Sequence, residues 1–506
     1  MVRSVSYNQL LSDLPRLGAV NLTASLTRTD NGFPTDLRTP LYNGMDRQGL
    51  ISFLEGVIGS TGIPEIDSLD ESERSKVGPL SIQLPWKERA DTLSSYFSQF
   101  GEVDLAFAES IAIRFLPETL QPDELRDAFE AMPKGTSLGL PYMTRNRSYV
   151  GSYLRRAMEA QSSDDIYPAV IGWRGQASGL HSTPKQRVVW MFDHAETILG
   201  LSILKPVLRH LAGSKGFAAW SNLDDVDVAM TRILNRARGR NIYSIDFSGF
   251  DASVNSTLIS AIFSAFGTVF TSGHERIDLL RDVFLTVPIV TPFQVHHGRN
   301  GGVPSGSALT NLVDSFVNIV AMHIIAQSLG VQVEDFECLG DDAVILFSED
   351  PGSQAIERAY HKLGLEVSAS KQFVSPTAVH YLQRVHTLDY LRDGVCVGVR
   401  SPYRALTGMS GYERFRRDWN AYLDTMRWIM QTENLKNDPR FVRFVLDFLT
   451  PGDKILSAHT PIGSIVRKAG GVSHARVTLG VESFPYTERD PDKIASFETV
   501  RVLNSV

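Results

Sequence analysis

Between residues 241 and 400, short apolar runs alternate with segments whose apolar residues recur at helical spacing. The stretch NIYSIDFS (241–248) is rich in β-branched and aromatic residues, which is typical of a β-strand. The segment after it predicts a helix, because one of its faces is entirely apolar. That face consists of Leu258, Ile259, Ile262, Phe263, Phe266 and Val269. Asp246 is therefore expected near the end of the strand and Asp251 near the start of the helix, and strand ends are where sites form in open α/β sheets.

A second strongly apolar helix is predicted after a glycine-rich loop that contains Pro304. Its apolar face consists of Leu309, Leu312, Val313, Phe316, Val317 and Val320. Thr310, Asp314 and Asn318 are spaced four residues apart, so they share one face of this helix. Such a polar stripe needs polar partners or a wet cavity unless it faces solvent, and the pattern alone leaves both possibilities open.

The segment EDFECLGDDAVILFSED (334–350) has two short apolar runs on either side of Gly340, Asp341 and Asp342. Strand, tight turn and strand are predicted, since glycine and aspartate favour turns. An isolated Gly-Asp-Asp is most often only a turn, for backbone reasons. The Gly-Asp-Asp turn becomes a candidate site in combination with Asp246, because a strand end and a hairpin tip can place carboxylates side by side on one sheet edge.

Clustered carboxylates of this kind suit a divalent cation. Mg²⁺ prefers oxygen ligands and is usually held by one or two carboxylates plus substrate phosphates. Two such ions about 3.5–4 Å apart stabilise both the attacking and the leaving oxygen in phosphoryl transfer. Without cations the carboxylates would repel one another, and one of them would tend to stay protonated.

Composition narrows the class of protein. The chain has 506 residues, a length that allows two to four domains or one large fold with subdomains, and its 43% hydrophobic and 21% charged residues are typical of a soluble globular protein. Cys338 and Cys396 are the only cysteines, which excludes a disulfide framework and favours a reducing compartment. The net charge of −7 argues against a uniformly positive surface, but a local basic channel could still bind phosphates.

The remaining segments predict neither a signal peptide nor a membrane span. The first 17 residues have no sustained apolar run. Residues 316–331 are the best membrane candidate, but they are too few and contain polar side chains, so a buried helix is expected. The pattern from Ser401 onward is mostly helical, and the aromatic residues of 412–430 have a spacing typical of a helix core.

In combination and order, these segments resemble the motifs of the viral RNA-dependent RNA polymerases, in particular those of small double-stranded-RNA viruses such as picobirnaviruses or partitiviruses. The matching segments are TSLGLPY (136–142) for motif G, PKQRVVW (184–190) for motif F, DFSGFD (246–251) for motif A, GVPSGSALTNLVDSFVN (302–318) for motif B, CLGDDAVI (338–345) for motif C, Lys371 for the motif D lysine and HYLQR (380–384) for motif E. The resemblance covers residues 136–384.

The resemblance implies an α+β fold, a closed right hand whose palm has an RRM-like antiparallel sheet. The expected divisions are an N-terminal segment (1–104) bridging fingers and thumb, fingers (105–240 and 272–299), palm (241–271 and 300–400), and thumb with a C-terminal tail (401–506). The tail (483–506) would either fill the cavity or form a simple surface strap.

For catalysis, the resemblance implies that Asp246 and Asp341 are shared metal ligands and that Asp342 supports them. Two Mg²⁺ ions are expected, with Mn²⁺ able to substitute. Lys371 is the expected general acid that protonates the pyrophosphate leaving group, with an ordinary surface lysine as the alternative.

Binding of the nucleotide triphosphate is expected from basic residues of motif F. Pro184 blocks a helix, and in an extended segment the alternating Lys185 and Arg187 lie on one face. They would neutralise the triphosphate, together with Arg174, since arginine suits bidentate phosphate contacts. The alternative is a solvated basic loop.

Recognition of the ribose is expected from Asp251 together with Thr310 and Asp314. Many plus-strand virus polymerases have asparagine at the position of Asp314, whereas the double-stranded-RNA group resembles this chain. With two acids near one sugar, either one is protonated or the pair shares a hydrogen bond through the sugar or water. Ser305 and Gly306 would form a loop that reads template or nucleotide, or else a helix-entry turn capped by Ser305.

RNA contacts are expected at two further places. Thr136, Ser137 and Gly139 would touch the template backbone, although a structural turn is a close alternative. Arg384 would hold the primer end or act as a structural salt-bridge partner.

The implied function is template-directed RNA synthesis from ribonucleoside triphosphates, with single-stranded RNA template, nascent RNA and a viral capsid protein as partners. The expected location is the virion interior and the host cytoplasm. A reverse transcriptase would have a bulky aromatic residue at the position of Asp251. A metal-dependent phosphohydrolase would not need Lys185 and Arg187. A non-catalytic RNA-binding virion protein would be hindered by unpaired carboxylates near RNA.

Overall fold

The computed structural model describes residues 5–132, 135–163, 166–368, 372–414, 418–480 and 490–505. The helices before the central region are α1 (Tyr7–Asp13), α2 (Arg16–Asn31), α3 (Arg47–Ile58), α4 (Pro64–Ser75), α5 (Leu105–Ile113), α6 (Leu125–Glu130), α7 (Val150–Ser163), α8 (His194–Leu211) and α9 (Leu223–Ala237). Two strands, β1 (Ala169–Gln176) and β2 (Lys185–Met191), form a hairpin between α7 and α8.

The central region contains, in chain order, β3 (Ile242–Ile245), α10 (Phe250–Ser253), α11 (Ser256–Val269), α12 (His274–Thr286), β4 (Ile289–Thr291), β5 (Gln294–His296), α13 (Thr310–Ser328), β6 (Val333–Leu339), β7 (Asp342–Phe347), α14 (Ser353–Lys362), β8 (Phe373–Ser375), β9 (Ala378–Tyr381) and β10 (Arg384–Thr387). The C-terminal helices are α15 (Pro402–Ser410), α16 (Ala421–Glu433), α17 (Phe441–Arg443), α18 (Thr450–Gly452), α19 (Lys454–Ser457), α20 (Ile462–Lys468), α21 (Val472–Leu479) and α22 (Glu498–Asn504).

The central sheet has the order β6-β7-β3-β8, and each neighbouring pair of strands is antiparallel. Successive side chains of each strand point to opposite faces of the sheet, so each face packs against a different hydrophobic cluster. On one side Ile242 and Val344 pack with Met230 of α9. On the other side Tyr243 and Ile345 belong to the main core, which includes the apolar faces of α11 and α13. The predicted strand, both predicted helices and the predicted hairpin are thereby confirmed.

A second sheet, with the order β2-β1-β4-β5, is built around the β1–β2 hairpin. Arg174 lies directly across from Arg187 in the antiparallel pair β1–β2. The strand β4 comes from the segment between α11 and α13 and runs parallel to β1, with Ala169 opposite Ile289. The segment around 272–299 therefore packs with residues that come more than a hundred positions earlier in the chain.

The N-terminal segment contacts two different parts of the molecule. Leu10 of α1 and Leu22 of α2 are buried in the main core. Leu54 of α3 is buried instead among the C-terminal helices. Ile66 of α4 packs against Val385 of β10.

The C-terminal region is helical, as predicted. Helix α16 begins at Ala421, where the Asn420 side chain accepts hydrogen bonds from the backbone amides of Tyr422 and Leu423 and caps the helix. In the described part of the tail, Glu433 accepts hydrogen bonds from the backbone amides of Glu498 and Thr499. Residues 490–505 therefore strap onto the C-terminal helices.

Residues 316–331 lie mostly in α13, and this helix is buried in the main core. No helix within the described residues is both long enough and apolar enough to cross a membrane.

The core beneath the central sheet provides a test of packing. Phe316 of α13 is fully buried, with ring centroids 6.0 Å from Phe217 and 5.8 Å from Phe266. We expect Phe316→Ala to reduce stability by about 3–5 kcal/mol, because it leaves a cavity among these rings. Phe293→Ala removes a ring that is 71% exposed, so it should leave the apparent melting temperature nearly unchanged. Equal melting temperatures for the two variants would contradict this packing.

Candidate active site

Three carboxylates meet at one edge of the central sheet. The register pairs Ile245 of β3 with Ala343 of β7, so the next step along the strands places Asp246 beside Asp342. In the adjoining hairpin, Leu339 pairs with Asp342, which leaves Gly340 and Asp341 as a tight turn. The edge therefore presents Asp246, Asp341 and Asp342 together.

Charge repulsion at this edge is visible in the pKa values. Burial raises the pKa of Asp342 to about 7, with further raising contributions from Asp341 and Asp246. Loss of solvation also raises the pKa of Asp341, and the positive charge of Arg187 partly offsets this change. Negative charge thus exceeds positive charge at the edge, which is the condition that a bound cation would relieve.

A preformed metal cage is not present, since no group of three or more His, Cys, Asp and Glu side chains in the described part of the chain is arranged to hold an ion. The donor chemistry nevertheless fits a divalent cation. Mg²⁺ is typically bound by one or two carboxylates and completes its coordination with water and substrate phosphates.

Helix α13 fixes the turn that carries Asp341. The Asn318 side-chain amide donates hydrogen bonds to the backbone carbonyls of Gly340 (3.1 Å) and Asp341 (3.2 Å). The Ser315 hydroxyl accepts a hydrogen bond of 2.8 Å from the Gly340 amide. Asn318 is fully buried against the hairpin and Asp314 is only 4% exposed, so the alternative that this stripe faces solvent is wrong.

The loop before α13 binds Asp251. The Ser305 hydroxyl donates a hydrogen bond to the Asp251 carboxylate. The Val303 amide donates to the Asp251 carbonyl at 2.6 Å. Helix α13 begins after Leu309 without a side-chain cap, so the alternative that Ser305 is a helix cap is wrong. The Thr310 hydroxyl instead stabilises the loop, accepting from the Gly306 amide at 3.2 Å.

Asp314 lies behind this loop with only 4% of its surface exposed. Its Oδ1 atom accepts no hydrogen bond from the described residues. Burial raises its pKa well above the usual range, and the neighbouring Asp251 and Asp341 raise it further. Burial raises the pKa of Asp251 as well, but the Asp251 carboxylate accepts a hydrogen bond from Ser305 whereas Asp314 Oδ1 accepts none. Of the two arrangements considered for the acid pair, a protonated Asp314 is therefore favoured.

The basic hairpin β1–β2 faces the same site. Lys185 and Arg187 are exposed and separated by one residue, so they share one face of β2. Arg174 lies directly across from Arg187 and adds a third cation to that face. Burial raises the pKa values of Asp251, Asp341 and Asp342, and the charge of Arg187 partly offsets this rise at all three, so Arg187 acts electrostatically on the carboxylate edge.

Comparison with known proteins identifies the family. Residues 116–397 match the family model described as viral RNA-dependent RNA polymerase. The chain is also 31% identical over 462 residues to the potential RNA-dependent RNA polymerase of human picobirnavirus (strain Human/Thailand/Hy005102/-), covering 86% of this chain and 85% of that protein. The chain belongs to the viral RNA-dependent RNA polymerases.

Further relatives of this polymerase agree in sequence and in fold. The crystal structure of the human picobirnavirus RNA-dependent RNA polymerase superposes with a TM-score of 0.84 at 26% identity, covering 99% of this chain and 100% of that chain. An insertion-loop deletion mutant of a human picobirnavirus polymerase gives a TM-score of 0.83 at 27% identity, with the same coverage. The RNA-directed RNA polymerase of Cryptosporidium parvum virus 1 is 27% identical over 275 residues, covering 50% of this chain and 52% of that protein.

These relations confirm the α+β right-hand fold and the picobirnavirus-like resemblance. The polymerase synthesises RNA on a template and uses RNA and nucleotides as substrates. Polymerases of this family use divalent metal ions. The relatives give no support to a reverse transcriptase or to a non-catalytic virion protein.

The predicted template residues of the polymerase occupy a turn beside α8. Thr136 is exposed, and its hydroxyl is 3.5 Å from His194 Nε2. Ser137 is half-buried. Gly139 is buried with φ +65°, and a Cβ atom there would lie 1.8 Å from the Phe192 carbonyl oxygen. Gly139 is thus required by the close approach of two backbones, whereas Thr136 and Ser137 are accessible to a ligand.

Two other predicted residues are placed differently. Arg384 is 4% exposed, and its guanidinium donates a hydrogen bond of 3.3 Å to Asn434 beside the C-terminal helices. Burial and this neutral amide partner favour a structural role for Arg384 over a contact with the primer, although the bond is not the salt bridge that was considered. Lys371 lies outside the described residues.

Some residues that position the site carried no sequence signal. The Arg299 guanidinium is buried and donates hydrogen bonds to the carbonyls of Gly301 (2.7 Å) and Gly302 (2.6 Å). The Ser307 hydroxyl donates to Glu196 of α8, whose pKa burial raises to about 8. A single arginine next to glycines, or a glutamate in an apolar helix, has no pattern that would reveal such a role.

The raised pKa of Asp314 predicts a pH effect on stability. As pH rises above the usual carboxyl range, the unfolded chain releases a proton that folded Asp314 retains, so the wild type loses stability. Asparagine has no such proton, so the Asp314→Asn variant does not lose this stability. The melting temperature of the variant, relative to that of the wild type at the same pH, should therefore increase from acidic to neutral pH. Both proteins are measured with a chelator present.

The control for this experiment is Asp389→Asn, which alters an exposed aspartate after β10. Its melting-temperature difference from the wild type should vary little with pH. A difference for Asp314→Asn that stays constant across the same range would contradict the proton assignment.

Proposed function

We propose that this polymerase joins ribonucleotides by two-metal nucleotidyl transfer at the edge formed by Asp246, Asp341 and Asp342. The observation that carries the proposal is the convergence of these carboxylates, from β3 and from the β6–β7 turn, opposite the cation Arg187. Asp246 and Asp341 are the shared metal ligands, and Asp342 supports them. Two Mg²⁺ ions, which Mn²⁺ could replace, would stabilise charge on the attacking 3′ oxygen and on the leaving pyrophosphate.

The protein's own contribution is to position the nucleotide. Arg174, Lys185 and Arg187 line one face of the basic hairpin and would bind the triphosphate, with bidentate contacts from the arginines. Orienting the α-phosphate for in-line attack supplies much of the rate in reactions of this kind. Lys371 is proposed, by resemblance, to donate a proton to the pyrophosphate as it leaves.

Asp251 and Ser305 are proposed to recognise the ribose. The proposal is supported by their hydrogen bond, which brings a hydroxyl and a carboxylate side by side. The 2′ hydroxyl of a ribonucleotide can bond to both groups, whereas a deoxyribonucleotide leaves them without that partner. Thr310 and Gly306 maintain the loop, and a protonated Asp314 could share its proton with this network.

For the RNA strands, Thr136 and Ser137 are proposed to contact the template backbone, since both have accessible hydroxyl groups. Gly139 shapes the turn that carries them. Arg384 is proposed to stabilise the junction between the β9–β10 hairpin and the C-terminal helices.

The subdomain boundaries are proposals as well. Assigning 272–299 to the fingers with 105–240 is supported by the pairing of β4 with β1. A palm of 241–271 and 300–400 contains the whole central sheet. The bridge formed by 1–104 is supported by its contacts with two cores. For the thumb and tail, 401–506, the support is their common core.

A capsid protein is proposed as partner, and the virion interior and host cytoplasm as locations, on the strength of the relation to a picobirnavirus polymerase. Co-sedimentation of the polymerase with assembled capsids would test this part of the proposal. Recovery of the polymerase only in the free protein fraction would contradict it.

Substitution of Asp341 tests the metal-ligand role. We expect Asp341→Asn to reduce nucleotide incorporation about a thousandfold or more, because a metal-bound charge contributes several kcal/mol to the transition state. The matched control is Asp393→Asn, which alters another aspartate in a tight turn, between Arg392 and Val395. Primer extension with Mg²⁺ measures both variants, and normal synthesis by a folded Asp341→Asn protein would sink the assignment.

Substitution of Ser305 tests the ribose site. We expect Ser305→Ala to reduce the preference for ribonucleotides over deoxyribonucleotides roughly tenfold, since a hydrogen bond to a charged group is lost. The quantity to measure is the ratio of kcat/KM values for GTP and 2′-deoxyGTP. Ser307→Ala is the matched control in the same loop, because Ser307 bonds to Glu196 and should affect stability rather than this ratio.

A further inference from the structure

A tyrosine from the N-terminal segment reaches the proposed ribose site. Tyr96 lies in a 3₁₀-helix, Ala90–Phe97, outside all seven motifs, and only 6% of its surface is exposed. Its hydroxyl oxygen is 3.5 Å from Ser305 Oγ. Hydrogen bonds in active sites without substrate are often long and tighten in the complex, so this distance is compatible with a functional bond.

The direction of this hydrogen bond follows from the chemistry of serine. A serine hydroxyl has a single hydrogen, and that of Ser305 is donated to Asp251. Toward Tyr96, Ser305 can therefore only accept, so the Tyr96 hydroxyl is the donor. The result is a directed chain from Tyr96 through Ser305 to Asp251, in which each bond polarises the next.

The Tyr96 ring is held in place by Trp190. The two ring centroids are 5.5 Å apart at an interplanar angle of 64°, an edge-to-face arrangement that aromatic pairs favour. The Trp190 amide also donates a hydrogen bond of 2.7 Å to the Ser305 carbonyl. Trp190 thus holds both partners of this contact, the backbone of Ser305 through a hydrogen bond and the ring of Tyr96 through packing.

Two glycines of the loop before α13 show that residues 96–99 pack closely against this loop, beyond the single contact between Tyr96 and Ser305. At Gly302, with φ +69°, a Cβ atom would lie 2.9 Å from Tyr96 Cδ1. A Cβ atom at Gly301 would lie 3.0 Å from Gln99 Oε1. The Gln99 amide donates a hydrogen bond of 2.8 Å to the Ala252 carbonyl, next to Asp251. Residues 96–99 therefore form one wall of the site, and the loop needs glycine to lie against it.

We infer that Tyr96 is a positioning residue for ribose selection, whose hydroxyl keeps Ser305 in the orientation that binds Asp251. The inference rests on the proposed ribose-sensing role of Asp251 and Ser305. Without the tyrosine hydroxyl, the Ser305 hydroxyl is free to rotate and the 2′ hydroxyl meets a less ordered partner. Deoxyribonucleotides have no 2′ hydroxyl, so their incorporation should change little.

The test is Tyr96→Phe, which retains the ring that packs on Trp190. The measured quantity is the ratio of kcat/KM for GTP to that for 2′-deoxyGTP, opposite cytosine in a primed RNA template. Both values come from one enzyme preparation, so the active fraction cancels. We expect the ratio to fall about 3- to 10-fold, through a lower kcat/KM for GTP, and to fall no further when Tyr96→Phe is added to Ser305→Ala.

The control is Tyr42→Phe, which removes a hydroxyl that donates to the Phe448 carbonyl among the C-terminal helices and should leave the ratio unchanged. A wild-type ratio for Tyr96→Phe, while Ser305→Ala lowers it, would overturn the role of Tyr96 alone. If Tyr96→Phe lowers the ratio equally in the wild type and in the Ser305→Ala variant, Tyr96 does not act through Ser305. An unchanged ratio for Ser305→Ala would overturn the proposed ribose site itself and this inference with it.

Discussion

Carboxylates brought together at one sheet edge repel one another, and the architecture of the palm keeps them there. The β3–β7 register places Asp246 beside Asp342, and Asn318 and Ser315 bind the backbone of the turn that carries Asp341. These contacts involve neutral groups, so they fix geometry without compensating charge. Burial raises the pKa of Asp342 to about 7, and the neighbouring Asp341 and Asp246 raise it further.

Helix α13 connects the two halves of the site. Near its middle, Asn318 holds the turn of the carboxylate edge, and at its first residue Thr310 bonds to the loop that contains Ser305. A buried helix transmits position well because close packing leaves little room for rotation. The turn that carries Asp341 and the loop that carries Ser305 are therefore fixed relative to each other by one helix, while the Trp190 amide ties the basic hairpin to the same loop.

Contacts between distant segments decided questions that the sequence left open. A helix cap was one of two roles considered for Ser305, but its hydroxyl bonds to Asp251, which lies 54 residues earlier. Arg384 was a candidate for primer binding, yet it is buried against Asn434, 50 residues later.

Local sequence patterns were sufficient to predict β3, the two apolar helices α11 and α13, the β6–β7 hairpin and the presence of acids at one sheet edge. Periodicity and turn chemistry act over a few residues, so the printed chain contains that information. The tertiary structure alone decided which group Ser305 binds, that Asp314 is buried, and that Tyr96 reaches a serine 209 positions away. Those contacts arise from how whole elements pack, and no local pattern specifies them.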